Sequence, residues 1–145
     1  MRKPKYFYKQ SAVIPFRVKN GRFEILLITS SKKKKWIIPK GIIEQNMTPQ
    51  ESALKEALEE AGVSGKVSEK MFGEYSYKKW GDTCNVKVYL MKVTKELEKW
   101  MEDYRKRKWM SVNDAAKLVE NEDLIKLLNN TEETVKRNGY KINGK

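Results

Sequence analysis

Three glutamates share one face of a predicted helix and could together bind a divalent cation. Glu56, Glu59 and Glu60 are spaced i, i+3 and i+4, which places their side chains on the same side of an α-helix. Like charges at this spacing repel each other, and the helix dipole disfavours negative charge near the C-terminal end. Solvent and nearby lysines offset such repulsion on an ordinary surface helix, whereas a metal ion offsets it at a metal site. The spacing alone leaves both interpretations open.

The amino-acid composition limits the chemistry that such a site can perform. The 145 residues include no histidine and one cysteine, Cys84, which excludes Ser-His-Asp and Cys-His nucleophile systems, His-ligated zinc and an internal disulfide. A general base must be Asp, Glu, Lys or Tyr, and oxygen ligands favour Mg²⁺, Mn²⁺ or Ca²⁺. We expect a cytoplasmic protein, with neither a membrane span nor a secretory leader.

The net charge of +12 is distributed unevenly along the chain. Residues 1–40 carry 12 basic side chains and one acidic one, and residues 75–110 carry ten and five. Residues 41–74, between these two blocks, carry three and seven. An acidic segment between basic blocks favours a cation held next to a polyanion over a uniformly basic nucleic-acid coat.

Local signals define the helix that carries the glutamates. Thr48, Pro49 and Glu51 form a capping box with proline at the first helical position, and Gly62 is placed to end the helix. Five apolar side chains between these ends fall on one face of a helical wheel and are predicted to face the core. They are Ala53, Leu54, Ala57, Leu58 and Ala61.

The rest of the chain predicts an α/β fold in which a mixed β-sheet is flanked by helices. Asn20-Gly21 predicts a hairpin between the first two strands. Because repeats and linkers are absent, we expect one domain over residues 1–145, with residues 138–145 as a frayed end. The predicted strands are residues 11–18, 23–29, 36–39, 67–72, 74–80, 85–93 and 108–110. The later helices are residues 111–119 and 122–129, and whether the second of these continues to about residue 137 is left open.

The segment from Trp36 to Val63 resembles the Nudix box. That family's signature is Gly, five residues, Glu, seven residues, Arg-Glu, an aliphatic residue, any residue, Glu-Glu, any residue, Gly and an aliphatic residue. The register of this chain follows it from Gly41 through Glu56 to Gly62. Met47 stands where the family has Glu, and Lys55 stands where it has Arg. In the family these two side chains generally support each other and the geometry of loop and helix.

A wider resemblance, from about Gln10 to Val119, is to the diphosphoinositol-polyphosphate and diadenosine-polyphosphate hydrolase branch of this family. It implies a Nudix-type α/β/α sandwich and the hydrolysis of a diphosphate linkage. The residues that carry it are Trp36-Ile37-Ile38-Pro39, Glu60-Ala61-Gly62-Val63, Val88-Tyr89-Leu90, the run from Val93 to Trp100, and Arg105-Lys106-Arg107-Lys108-Trp109.

The same resemblance implies roles for individual residues. Mg²⁺, or alternatively Mn²⁺, would be held by Glu56, Glu59, Glu60 and a main-chain carbonyl at Lys40 or Gly41. Glu56 is the predicted general base or metal-bridging residue. Some Nudix enzymes take the base from a later loop, and the later candidates, among which the sequence does not choose, are Glu96, Glu98, Glu102 and Asp103. The predicted phosphate-binding cations are Lys9, Arg17, Lys32, Lys40, Lys78, Arg105 and Arg107.

Three functions are consistent with the sequence. The first is a Mg²⁺-dependent hydrolase that acts on a small, highly anionic diphosphate such as a dinucleoside polyphosphate or an inositol pyrophosphate. The second is the removal of pyrophosphate from an RNA 5′ end, where the basic blocks would follow the strand. The third is a Nudix-fold module that binds nucleotide or RNA without turnover, which the substitutions at Met47 and Lys55 keep open. The oligomeric state is not predicted.

Overall fold

The computed structural model describes residues 9–32, 34–79 and 81–138, and eight strands within them form one mixed sheet. The main path through the sheet is β3-β2-β1-β7-β5, while β4 pairs with β1, β6 with β7 and β8 with β2. The strands are β1 (Lys9–Lys19), β2 (Arg22–Thr29), β3 (Trp36–Ile37), β4 (Lys40–Ile42), β5 (Val63–Val67), β6 (Gly73–Lys79), β7 (Asp82–Glu96) and β8 (Arg107–Met110).

Strand β1 lies at the centre of the sheet. It pairs antiparallel with β2 and β4 and parallel with β7, which makes the sheet mixed, as predicted. Its segment from Ser11 to Phe16 is buried on both faces. A strand covered on both sides needs an almost continuous apolar run rather than an alternating one, and the sequence has that run here.

Helices cover both faces of the sheet, so the predicted sandwich is confirmed. On one face Ile14 and Leu90 pack with α2, α3 and α4. On the other face Val13, Tyr89 and Met91 pack against α1. The helices are α1 (Pro49–Glu56), which continues as a π-helical turn (Ala57–Ala61), then α2 (Val112–Leu118), α3 (Glu122–Asn129) and α4 (Thr131–Arg137).

Helix α1 begins and ends where the sequence predicts. The Thr48 hydroxyl accepts the Glu51 N–H at 3.0 Å, and the Glu51 carboxylate accepts the Thr48 N–H at 2.9 Å, which completes the capping box. Gly62 ends the π-helical turn with φ +67°, in the left-handed region where glycine is unstrained.

The structure overturns one prediction for this helix. Leu58 is 43% exposed instead of facing the core, whereas Glu60 is only 8% exposed. On a helical wheel Leu58 lies at the edge of the predicted apolar face, about 140° from Ala53, and the sheet covers the part of that face on which the alanines lie. Ala53, Ala57 and Ala61 are buried, as predicted.

Several element boundaries differ from the prediction. The strand predicted at residues 67–72 is wrong, because β5 begins directly after Gly62 and ends at Val67. Strand β4 was missed, since its three residues include a lysine and a glycine and show no apolar alternation. The helix predicted at residues 122–129 is confirmed as α3, whereas its expected continuation to about residue 137 is a separate helix, α4, that begins after Asn130. Of the predicted frayed end, residues 139–145 lie outside the described residues.

In the part of the chain that the structure describes, no helix is both long and apolar enough to cross a membrane.

The capping box gives a prediction for stability. Thr48→Ala removes the hydroxyl that accepts the Glu51 N–H, so the free energy of unfolding should fall by about 1 kcal/mol in a urea titration. Thr48→Ser keeps the hydroxyl and should stay within about 0.5 kcal/mol of the original protein. Equal losses in both variants would show that the cap contributes nothing.

Candidate active site

A cleft of about 680 Å³ opens where β4 pairs with the start of β1, between α1 and β6. Glu56 and Glu60 form its acidic side, and Lys40 and Lys79 contribute the basic side chains. The cleft therefore brings carboxylates and cations from four different elements into one concave surface, the arrangement typical of a binding site for a charged small molecule.

Glu56 packs directly against the backbone of Gly41. A Cβ atom added at Gly41 would lie 2.3 Å from Cδ of Glu56, far inside van der Waals contact. Only glycine allows this approach, which explains why a glycine stands at this point of β4. The main chain of β4 and the Glu56 carboxyl group consequently meet inside the cleft.

Glu60 is a buried carboxylate with few compensating partners. Its Oε1 accepts the Lys40 N–H at 3.2 Å, and Nη2 of Arg105 lies 3.9 Å from Oε2. Burial and the neighbouring charge of Glu56 raise the pKa of Glu60 to about 8. Burial and the charge of Glu59 also raise the pKa of Glu56. The pair resists carrying two negative charges, and a cation bound between the carboxylates would relieve that cost.

The lysine that faces these carboxylates is also buried. Burial lowers the pKa of Lys40, and the negative charge of Glu60 opposes that shift. Its Nζ lies 4.8 Å from the centre of the Tyr77 ring, which is a cation–π distance. The Tyr77 hydroxyl in turn donates to the Gln10 side-chain oxygen at 2.9 Å. Lys40 is thus held over the cleft as a positive charge in a low-dielectric setting.

The four later acidic residues that are candidates for the general base differ in how close they lie to the Glu56–Glu60 pair. Arg105 contacts the Glu102 carboxylate at 2.9 Å and the Thr29 carbonyl at 2.9 Å. The charge of Glu102 contributes to the raised pKa values of both Glu56 and Glu60.

The other three candidates lie elsewhere. The Glu96 carboxylate is bound by the Trp109 indole and by Arg107. The other two candidates, Glu98 and Asp103, are exposed. Glu102 is therefore the later-loop carboxylate next to the cleft.

Glu59 does not line the cleft with Glu56 and Glu60, and its carboxylate is paired with Lys55. Its Oε2 lies 3.1 Å from Nζ of Lys55, and the same Nζ lies 2.9 Å from Oε2 of Glu44. Within residues 9–32, 34–79 and 81–138, no three Asp, Glu or Cys side chains are grouped closely enough to hold one metal ion. The three predicted metal ligands are thus divided into a pair inside the cleft and one side chain at its border.

Arg107, a predicted phosphate-binding residue, caps the π-helical turn instead of lining the cleft. Its Nη1 donates to the Ala61 carbonyl at 2.9 Å, and Nη2 donates to the Leu97 carbonyl. The guanidinium lies 3.9 Å from the centre of the Trp100 ring, and the Trp100 indole donates to the Glu60 carbonyl at 2.9 Å. These contacts satisfy backbone oxygens at the helix end and fix the turn that carries Glu60.

The remaining predicted cations do not line the cleft. Arg17 stacks on Trp109 at 4.1 Å and pairs with Glu24 at 2.8 Å. Lys9 and Lys32 are exposed, at the start of β1 and in the turn after β2 respectively. Lys78 is exposed on the face of β6 opposite Tyr77, because neighbouring side chains of a strand alternate.

Comparison with known proteins agrees with this architecture. The NUDIX domain model matches residues 8–130, which is most of the chain. The chain belongs to the Nudix family. It is 36% identical over 115 residues to Nudix hydrolase 21, chloroplastic, of Arabidopsis thaliana (74% of this chain, 58% of the relative). It is 35% identical over 121 residues to diphosphoinositol polyphosphate phosphohydrolase 3-beta of Bos taurus (81% and 72%), which confirms the resemblance to that branch.

Solved Nudix-type structures share the fold. A Caenorhabditis elegans Ap4A hydrolase in a binary complex superposes with a TM-score of 0.79 at 22% identity, covering 89% of this chain and 98% of that one. The NUDIX domain of Shewanella oneidensis NrtR, complexed with ADP ribose, superposes with a TM-score of 0.70 at 13% identity (88% and 87%). The chain spans 58% and 56% of the lengths of two plant Nudix hydrolases that it matches, Nudix hydrolases 21 and 4.

The Nudix signature locates Gly41, Glu56 and Glu60 in the cleft but does not indicate three further residues that line it. Lys79 is not among the predicted phosphate-binding cations, although strand alternation in β6 places it on the same side as Tyr77. Gln10 and Glu44 line the cleft through the pairing of β1 with β4 and the loop that follows, for which the sequence carries no local signal.

The buried carboxylate predicts how stability depends on pH in the metal-free protein. The folded state binds the Glu60 proton more tightly, with a pKa of about 8 against an ordinary value of 4.5. Its contribution to stability is therefore complete below about pH 4.5 and is lost as pH rises through 8. In EDTA at pH 9, Glu60→Gln should be more stable than the original protein by about 1 kcal/mol or more in urea titrations.

At pH 4 the same two proteins should have nearly equal stability, since Glu60 is then neutral in both the folded and the unfolded state. An advantage for Glu60→Gln that is independent of pH would contradict the assignment of a buried, strained charge.

Proposed function

We propose that this protein is a metal-dependent pyrophosphohydrolase that cleaves a diphosphate linkage in a small, highly anionic substrate of the nucleoside or inositol type. The observation that carries the proposal is the juxtaposition of the Glu56–Glu60 pair with Lys40 and Lys79 in one cleft. Membership of the Nudix family supports it, as do relatives named as diphosphoinositol polyphosphate phosphohydrolases.

The donor set of the cleft fits Mg²⁺ or Mn²⁺. Glu56 and Glu60 offer oxygen ligands only, and both carboxyl groups hold a proton more tightly than usual, which is the electrostatic state that a divalent cation relieves. Glu56, Glu60 and the Gly41 carbonyl would hold the ion, and Glu59 at the border of the cleft would complete the set. The metal, when bound, supplies positive charge to the phosphate oxygens and acidifies water.

Side chains of the cleft would bind the diphosphate and accept the proton of the attacking water. Lys40 and Lys79 neutralise the oxygens of a diphosphate that enters the cleft, and the Tyr77–Gln10 hydrogen bond keeps the wall behind Lys40 in place. Glu56 lies in the cleft, where it would act as the general base that accepts the proton of the attacking water or, alternatively, as a metal ligand only. Arg105 holds Glu102 next to the pair, where Glu102 is the second candidate for the base.

We further propose a single domain, a cytoplasmic location and a small-molecule substrate for this protein. The described residues share one sheet with helices on both faces, which supports a single domain over residues 1–145. The single cysteine is buried and unpaired, which supports a cytoplasmic location. The size of the cleft supports a small-molecule substrate, with an RNA 5′ end as the competing substrate in the tests below.

The first test is a hydrolysis screen of dinucleoside polyphosphates, nucleoside triphosphates, inositol pyrophosphates and triphosphorylated RNA with Mg²⁺ or Mn²⁺. Glu56→Gln should lower kcat by roughly 10²–10⁴-fold, whereas Glu133→Gln, at an exposed site on α4, should leave it unchanged. Glu102→Gln should reduce kcat less than Glu56→Gln does.

The outcomes separate the three functions. Hydrolysis of small diphosphates supports the proposal, and hydrolysis of triphosphorylated RNA alone replaces it with the RNA 5′-pyrophosphohydrolase. Binding of these compounds without turnover on any of them indicates a non-catalytic Nudix-fold module.

The second test uses two neighbouring lysines of β6. Lys79 lines the cleft and Lys78 faces away from it. Lys79→Ala should raise KM about 5-fold with kcat little changed, since a partly exposed ion pair contributes roughly 1 kcal/mol. Lys78→Ala removes the same charge from the protein and should leave KM within about 2-fold at physiological salt. Equal effects of the two substitutions would indicate long-range attraction rather than a contact in the cleft.

A further inference from the structure

The ion-pair network between the loop before α1 and the last turns of this helix differs from the one that the family signature describes. Lys55, at the signature's arginine position, has Nζ 2.9 Å from Oε2 of Glu44 and 3.1 Å from Oε2 of Glu59. Glu44 lies three residues before Met47, the position at which the signature has glutamate. A carboxylate from outside the signature therefore holds the lysine.

The loop before α1 is folded so that Glu44 reaches this lysine. The Met47 N–H donates to the Glu44 carbonyl at 3.2 Å across a tight turn in which Asn46 has φ +67°. The Glu44 N–H donates to the Ser52 side chain at 3.0 Å, which ties the loop to the first turns of the helix. The backbone of Glu44 is thus anchored at both its N–H and its carbonyl.

Met47 takes a different part in the same loop. Its sulfur accepts the Ser52 hydroxyl at 3.7 Å, and its side chain is 37% exposed. A thioether carries no charge, so Met47 cannot hold a lysine at position 55. The Ser52 hydroxyl lies between the two loop residues and connects both of them to the helix.

We propose that Glu44 is a positioning residue that replaces the signature's glutamate in this chain, and that it holds Lys55 and, through it, Glu59. This inference rests on the proposed metal-dependent function. With Glu44 in place, the charge of Lys55 is shared between two carboxylates, and Lys55 contacts Glu59 through Oε2. Without Glu44, the full charge of Lys55 acts on Glu59 and competes with a metal ion for that carboxylate.

The test measures Mn²⁺ binding by electron paramagnetic resonance and calorimetry, independently of catalysis. Glu44→Gln should weaken Mn²⁺ binding about 3- to 10-fold and raise the Mg²⁺ concentration needed for half-maximal hydrolysis by a similar factor. Thermal unfolding of the metal-free variant should be unchanged, because both partners of the pair are about 40% exposed. Glu69→Gln, a neutralisation at another exposed site, should alter neither quantity.

A rescue variant distinguishes positioning from a general loss of negative charge. Adding Met47→Glu and Lys55→Arg to Glu44→Gln rebuilds the pair that the family signature specifies, and Mn²⁺ affinity should return to within about 2-fold of the original. Met47→Glu and Lys55→Arg in the presence of Glu44 should change it little, since the function is then supplied twice.

The results decide the inference separately from the proposed function. Unchanged Mn²⁺ affinity in Glu44→Gln, a loss that the rebuilt pair does not restore, or the absence of Mn²⁺ binding by the original protein would each overturn it. If the original protein binds Mn²⁺ and Glu44→Gln weakens binding as expected, the inference holds even when no diphosphate is hydrolysed. In that case the hydrolase proposal alone fails.

Discussion

The cost of holding Glu60 inside the protein is the physical constraint on which the rest of the site depends. A buried carboxylate requires donors and positive charge close by, and the structure provides the Lys40 N–H, the side-chain charge of Lys40 and the more distant guanidinium of Arg105. Because Glu56 lies beside it, the two carboxyl groups share a region that does not stabilise two full charges. The fold keeps this unfavourable pair in place because packing elsewhere determines the position of the helix.

Helix α1 and its π-helical turn are held in place along their buried side and at their C-terminal end. Alanines on the buried side of α1 and its π-helical turn fit closely against β1 and β7, and small side chains allow the helix to approach the sheet. At the far end, Arg107 binds carbonyl groups of the turn and of the following loop, with Trp100 stacked on it. The backbone that carries the carboxylates is thus positioned by apolar contacts and hydrogen bonds in which the carboxylates take no part, and this allows the protein to keep two unfavourable charges close together.

The parts of this structure that the sequence predicts are those with local signals. The capping box, the Asn-Gly hairpin and the glycine at the helix end each depend on a few adjacent residues, and all three are present as expected. The resemblance to the Nudix signature assigned Gly41 and Glu56 to one predicted metal site, and the structure has these two residues in contact. Arg17 pairs with Glu24 across the predicted hairpin, but Trp109, on which Arg17 stacks, and the Ala61 carbonyl, which Arg107 binds, come from distant segments. The use of these two arginines as structural cations was therefore not readable from a linear pattern. The exposure of Leu58 was missed because a helical wheel gives the width of the apolar face but not how much of that face the sheet covers.

The π-helical turn sets the relation between the two carboxylates of the cleft. In a turn closed by i→i+5 hydrogen bonds each residue advances by less than in an α-helix, so two side chains four positions apart, such as Glu56 and Glu60, lie almost directly above one another. In an ordinary α-helix the same spacing would rotate Glu60 toward the side on which Ala53 and Ala57 pack against the sheet. The alignment of the two carboxylates therefore depends on the hydrogen-bond pattern of the backbone between them as much as on the identity of either side chain.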